Sequence, residues 1–311
     1  MLALYIVLGF IAFSIAGHFV TIYLIFLKFF KRTSLKHIDK SSRNTPYSKP
    51  YAEEMIATRN ELIDLHQYEM MTITSFDGLK LSGYYFNSNS DKTIIMVHGL
   101  RTHAFNNFGL AIKYFLKHNY NILAINQRAH EGSEGKYTTY GQKESEDVIS
   151  WVNHISDMNE IKSIYLYGIS MGATSIALAS ERIKNKKVKF LIIESVYTSV
   201  NALTEYIIKS QHIPGFLFRR GVRFLSKHVA GVDWSARTTV DALKNNHIPS
   251  IFVHGTKDIV AIESFFEDNY NNCVSNKYSI IVKDAPHALC ALHDREKYLD
   301  KLEKIIGDKY E

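Results

Sequence analysis

Three residue types, far apart along the chain, stand where acyl-transfer chemistry would need them. Ser170 sits in Gly168-Ile169-Ser170-Met171-Gly172, a serine between two glycines. The residues ahead of it, Tyr165 to Ile169, are apolar and β-prone, and those behind it are small and helix-tolerant. A serine hydroxyl is a weak nucleophile until a base takes its proton, and the base needs an acid to orient it. "FVHGTKDIV" offers Asp258 and "VKDAPHALC" offers His287, each just past a short apolar run, in the order Ser, acid, His. Glu194, at the end of the apolar run after the serine, is the alternative acid, and His293 a second candidate base. The negative charge of a tetrahedral intermediate needs N–H donors. Met171 opens the helix behind the serine and offers one. The turn "VHGLRTHAFNNF" offers another at Leu100, with Arg101 as its neighbour; His98 and Gly99 shape that turn.

These side chains converge only on a suitable scaffold. "TIIMVHG", "NILAINQR", "SIYLYGIS", "VKFLIIES", "SIFVHG" and "YSIIVKD" are short, nearly continuous apolar runs. Such runs suit strands covered on both faces. Helical patterns separate them, near 105–118, 142–155, 172–184, 261–272 and 294–307. This alternation predicts an α/β fold, a mostly parallel sheet with helices on both faces, with ligands at the carboxyl ends of the strands. Ahead of it, a helix near 52–66 precedes two strands joined at Phe76-Asp77-Gly78, where Asp-Gly favours a tight hairpin. More than fifty residues separate Ser195 from Ser250. Their aromatic, basic and helical character over about 198–238 predicts a lid. Phe216, Leu217, Phe218, Phe224 and Leu225 are candidates to line an acyl groove there. Arg219, Arg220 and Arg223 are candidates to meet phosphate or an acidic substrate end.

The 311 residues carry a net charge of +6. Leu2 to Leu27 holds no Asp, Glu, Lys or Arg. As a helix it would reach about 39 Å, enough to cross a hydrocarbon core of roughly 30 Å with tilt. Lys28, Lys31, Arg32, Lys36, Lys40 and Arg43 follow it. The positive-inside rule puts this flank and the domain behind it in the cytoplasm, the extracytoplasmic face being the alternative. The charge is thereby better explained by a membrane surface than by nucleic acid. The expected organisation is an anchor with its basic flank over 1–32, a polar, turn-rich linker over 33–50, and one catalytic domain over 51–311. Cys273 and Cys290 form neither a disulfide framework nor a zinc pair and read as free thiols.

In family order, "VHG", "NQRAHEGSEG", "GISMG", "ESVYTS", "HGTKD" and "APHA" resemble motifs of the α/β-hydrolase superfamily, in particular the membrane-anchored bacterial hydrolases of the serine aminopeptidase S33-like or BEM46-like type. The resemblance runs from about Tyr68 to the end. It implies hydrolysis through an acyl-serine with no metal or organic cofactor, and a bracing role for Arg128 and His130. Asn126 stands where the pattern D-x-R-x-H-G-x-S-x-G has Asp, Glu131 where it has Gly, and Ala261 where relatives often have Pro. The expected activity is cleavage of a carboxylic ester or related acyl bond, on a small, fairly apolar substrate. A peptidase or amidase, a thioesterase or an acyltransferase would use the same triad. A non-catalytic binding module at the membrane is the alternative of a different class.

Overall fold

The computed structural model describes residues 1–212 and 214–307. The chain begins with α1 (Leu2–Phe30), α2 (Leu35–Asn44) and α3 (Ala52–Leu65). Next come β1 (Glu69–Thr74), β2 (Lys80–Phe86), β3 (Lys92–Val97), α4 (Ala104–Lys117), β4 (Asn121–Asn126), α5 (Gln142–Ser156), β5 (Ser163–Ile169), α6 (Met171–Ala179) and β6 (Val188–Glu194). Helices α7 (Val200–Ser210), α8 (Gly215–Leu225) and α9 (Thr239–Leu243) then lead to β7 (Ser250–Gly255), α10 (Glu263–Asn272), β8 (Lys277–Val282) and α11 (Cys290–Gly307).

The eight strands form one sheet in the order β1-β2-β4-β3-β5-β6-β7-β8. The pairs β1–β2 and β2–β4 are antiparallel, and all the others are parallel. The unbroken apolar runs are the reason. In β3, Ile94 and Met96 pack into one core with α4 and α11, while Ile95 and Val97 pack into a second core with α5 and α6. In β5, Tyr165 and Tyr167 face the first layer, and Ile164 and Leu166 the second. A period of two with both phases apolar forces helices onto both faces. The hairpin at Asp77-Gly78 forms as expected, with Gly78 at φ +84°.

A third apolar cluster lies above the carboxyl ends of the strands, and it includes α1. Ile22, Phe26 and Phe30 are buried there with Tyr140, Met171, Tyr197, Leu203, Val222 and Trp234. The end of α1 is also tied by its backbone. Thr138 N–H donates to the Phe30 carbonyl (2.9 Å), Arg32 N–H to the Lys136 carbonyl (3.0 Å), and the Tyr140 hydroxyl to the Phe29 carbonyl (3.0 Å). The Arg32 guanidinium donates to the carbonyls of Ser133 and Glu131. Residues 2–21 of α1 are exposed throughout. The helix is long and apolar enough to cross a membrane.

Two expectations need correction. The linker expected over 33–50 is instead mostly helical and docked. Ile38 is buried, and Asp39 accepts from Arg59 at 2.5 and 3.1 Å. Its polar composition conceals this, because scattered residues do the docking: Ile38, Tyr47 against Met55 and Leu289, and the ion pairs Asp39–Arg59 and Arg43–Glu53. The stretch 198–238 does form a helical cap, but of the five residues named for a groove only Phe218 lines the cavity beneath it. Phe216 and Phe224 are 82% and 62% exposed, Leu217 is also exposed, and Leu225 packs into the third cluster. Arg220 and Arg223 are exposed too, while Arg219 lines the cavity and pairs with Glu205. The helical turn along α8 sends these neighbours in different directions.

Candidate active site

Strand β5 gives way to α6 without a linking residue except Ser170, which adopts φ +55°, ψ −115°. This backbone lies outside the regions favoured by a side-chain-bearing residue, and the surroundings hold it there. The residues two places before and after it must be glycines. A Cβ on Gly172 would lie 1.8 Å from the Val97 carbonyl oxygen, and one on Gly168 would lie 2.6 Å from the backbone of Gly172 and Ala173. Helix and strand pass so closely that only hydrogens fit between them. Gly172→Ala should therefore cost at least the ~1–3 kcal/mol of ordinary overpacking, since the obstacle is backbone. A fall in Tm on thermal unfolding would register it; an unchanged Tm would show that β3 and α6 can part.

The three predicted side chains meet at this turn. His287 Nε2 lies 2.9 Å from Ser170 Oγ. His287 Nδ1 lies 2.8 and 3.0 Å from the two Asp258 oxygens. Facing a carboxylate, Nδ1 carries the proton and donates it, which leaves Nε2 to accept from the serine O–H. Asp258 Oδ1 also accepts from the amides of Val260 (2.9 Å) and Ala261 (2.8 Å). Burial pushes this carboxyl upward, but the facing His287, the Val260 amide and the Ser195 hydroxyl outweigh it and hold it below the usual aspartate value. It is therefore ionised at neutral pH.

The rivals lie elsewhere. Glu194 is wholly buried under the site and accepts from the Tyr167 hydroxyl (2.7 Å), the Tyr298 hydroxyl (2.9 Å) and the Cys290 amide (3.2 Å). Burial raises its pKa. His293 Nδ1 pairs with the Tyr51 hydroxyl at 2.8 Å. Cys273 and Cys290 are free and buried.

The turn after β3 separates the two candidate oxyanion donors. Gly99 N–H donates to Asn107 Oδ1 (2.8 Å), and Arg101 N–H donates to His130 Nε2 (3.0 Å). Between them, the Leu100 N–H finds no partner among the described residues. Gly99 itself packs against Ser170, since a Cβ there would lie 3.4 Å from the serine Cβ. The Met171 N–H, at the first position of α6, has no acceptor in its own helix. Leu100 and Met171 thus offer the two free amides beside the hydroxyl, and Arg101 does not.

A chain of braces holds this turn. His130 Nδ1 donates to the Arg128 carbonyl (2.9 Å), which leaves Nε2 to accept from Arg101. Burial lowers the pKa of His130, consistent with a neutral ring. Arg128 is clamped by Asp147 (2.7 Å twice) and by Asp77 of the hairpin (2.9 and 3.0 Å). The Arg128 guanidinium holds Asp77 down at about 2. His98 donates from Nδ1 to the Gly99 carbonyl (2.7 Å) and accepts from Gln127 N–H (3.1 Å). Glu131 sits at φ +37°, which explains why the related pattern carries Gly there. Asn126 donates to Ser82 Oγ at 3.0 Å.

Over the site lies a cavity of about 530 Å³. Ser170, His287 and Leu100 form its floor, α7 and α8 one wall, and α1 and α2 the other, through Ile25, Phe29, Ile38 and Ser42. Tyr47, from the supposed linker, stands edge-on to the His287 ring at 6.1 Å. Neither Tyr47 nor the α1 wall carries a sequence signal, since both come from outside the strand–helix alternation. Among the described residues no cluster of His, Cys, Asp and Glu could hold a metal ion.

Solved structures share this architecture. An esterase of Pyrococcus furiosus, Pf2001, is 25% identical over 79% of this chain and 93% of its own, with a TM-score of 0.64. An esterase of Exiguobacterium antarcticum is 15% identical over 76% of this chain and 99% of its own (TM-score 0.59). The profile described as serine aminopeptidase, S33, matches residues 88–213. The chain has the α/β-hydrolase fold. The profile spans the elbow and the turn after β3 but stops short of Asp258 and His287. Est1E of Butyrivibrio proteoclasticus, solved with ferulic acid bound, is 18% identical to this hydrolase over 76% of the chain and 96% of its own (TM-score 0.57). The protein YqkD of Bacillus subtilis (strain 168) is 22% identical over 252 residues, 78% of this hydrolase and 81% of YqkD.

Proposed function

We propose that this hydrolase is a membrane-anchored serine esterase. Ser170 attacks the carbonyl carbon of an acyl ester while His287 Nε2 takes its proton. The oxyanion accepts from the amides of Leu100 and Met171. The ester C–O bond breaks as His287 returns the proton to the leaving alcohol, and Ser170 is left acylated. Water, activated by His287, then releases the carboxylic acid and regenerates the serine. Asp258 holds the imidazole tautomer and balances its charge throughout. The observation that carries this reading is the hydrogen-bonded line from Asp258 through His287 to Ser170 Oγ, at 2.8 and 2.9 Å.

Esterase neighbours support an ester substrate, and so does the cavity's charge. An aminopeptidase must hold a substrate ammonium group, usually with a carboxylate. Among the described residues lining the cavity there is no Asp or Glu, while Lys28, Arg101 and Arg219 are present. Residues 1–32 serve as the anchor on this reading, with the basic flank placing the domain in the cytoplasm. Residues 33–50 belong with the domain, and residues 198–238 form its cap. The exposed Phe216 and Phe224 of the cap suit a lipid surface.

A fluorophosphonate probe, followed by peptide mass spectrometry, tests the chemistry. The expected result is a single adduct on Ser170. Beside it, p-nitrophenyl esters of rising chain length should be cleaved in preference to aminoacyl anilides. An unmodified Ser170, or a preference for the anilides, would sink the esterase reading.

A further inference from the structure

The cavity's three cations are not equivalent. Arg219 already has a partner in Glu205. Lys28 is exposed on α1. Arg101 is half-buried, no acidic residue pairs with it among the described residues, and its Nε is shut off from solvent without a hydrogen-bond partner. A guanidinium drawn partly out of water needs an anion to repay its lost hydration. None of the described residues supplies one. The backbone, by contrast, is firmly held: φ is +53°, and the N–H is fixed by His130, which hangs from the clamped Arg128. A side chain left unsatisfied on a braced backbone, facing a ligand cavity, is built to meet a ligand. Its planar fork matches the paired oxygens of a carboxylate or phosphate.

We propose that Arg101 binds an anionic group of the substrate, so that the ester cleaved at Ser170 belongs to an anionic acyl amphiphile. The negative group pairs with the guanidinium, and the apolar chain lies against Ile25, Phe29, Ile207 and Val222. This rests on the esterase reading and adds the substrate class to it. A carboxylate and a phosphate present the same oxygen pair to the fork.

Two matched pairs test it. One sets a p-nitrophenyl half-ester of adipic acid against p-nitrophenyl hexanoate. The other sets a 1-acylglycerol 3-phosphate against the 1-monoacylglycerol of the same chain. In the wild type, one anionic member should exceed its neutral partner in kcat/KM by about tenfold or more, the scale of one charged hydrogen-bonded pair. Arg101→Gln should erase that ratio, chiefly through KM, and Arg101→Lys should keep only part of it. A preference confined to the phosphate pair would name a phosphate-bearing lipid, and one confined to the adipate pair a free carboxylate. If Arg101→Gln does not fold, the ratio in Arg101→Lys decides, and it must fall. Wild type that is labelled at Ser170 but shows no anionic preference overturns the Arg101 subsite alone. So does a preference that survives both substitutions. A wild type unlabelled at Ser170 removes the esterase reading, and this one with it.

Discussion

Ser170→Ala should lower kcat for any ester the protein cleaves by about 10⁴–10⁶-fold, with little change in KM. The hydroxyl is the group proposed to form the acyl bond, and no other nucleophile stands at the elbow. Asp258→Asn should cost less, about 10⁴-fold in kcat, because the amide turns the wrong hydrogen-bonding face to His287 and selects the wrong tautomer. Combining the two should cost no more than Ser170→Ala alone, since the triad acts as one unit. Single-turnover assays on the purified variants would measure this, with unchanged Tm values showing that the fold persists. A serine variant retaining a tenth of the activity would refute the acyl-serine mechanism. Two costs that multiply would show that Asp258 acts outside the triad.

Removing residues 1–32 should cripple the domain rather than free it. The side chains of Ile22, Phe26 and Phe30 are buried against the cap and the segment after β4. Each fully buried side chain of this kind contributes about 1.5–3 kcal/mol, so together they supply an upper figure of about 5–9 kcal/mol. A whole domain is stable by only about 5–15 kcal/mol. The backbone bonds to Lys136 and Thr138 and the Arg32 brace would go as well. Removing residues 1–17 leaves all of these in place and should be tolerated. Thermal unfolding of the two truncations in the same detergent separates the cases. Equal Tm values would show that α1 is a tether and nothing more.

The sheet was legible because its strands are apolar on both faces and stand between helical stretches. The elbow was legible for a related reason: Gly168 and Gly172 are needed where a strand and a helix touch, and that need is local. Asp258 and His287 could be placed because each follows a strand that ends on the same rim. The turn beside the strand of His287 favoured Asp258 over Glu194 in the sequence; what the sequence did not show is that Tyr167 and Tyr298 take up the Glu194 carboxyl. Leu100 was the donor the sequence favoured over Arg101; what it did not show is that His130 turns its ring from a different loop to occupy the Arg101 amide. The docking of α2 was hidden by composition, since Ile38 and the ion pairs Asp39–Arg59 and Arg43–Glu53 leave no periodic trace. The working face of α1 was hidden for the opposite reason. A helix that is apolar all round cannot announce which of its stripes meets protein.

That stripe runs at intervals of four, Ile22, Phe26 and Phe30, and Gly221 of the cap is shaped to it: a Cβ there would strike Ile22 at 2.6 Å. Anchors are commonly regarded as exchangeable parts, replaceable by any greasy segment of equal length. Here a foreign segment would arrive without the right teeth, and the roof over the serine would have nothing to mesh with. Chimaeras that swap the leading helix while preserving those three positions would keep a working protein, whereas those matched only for overall greasiness would not.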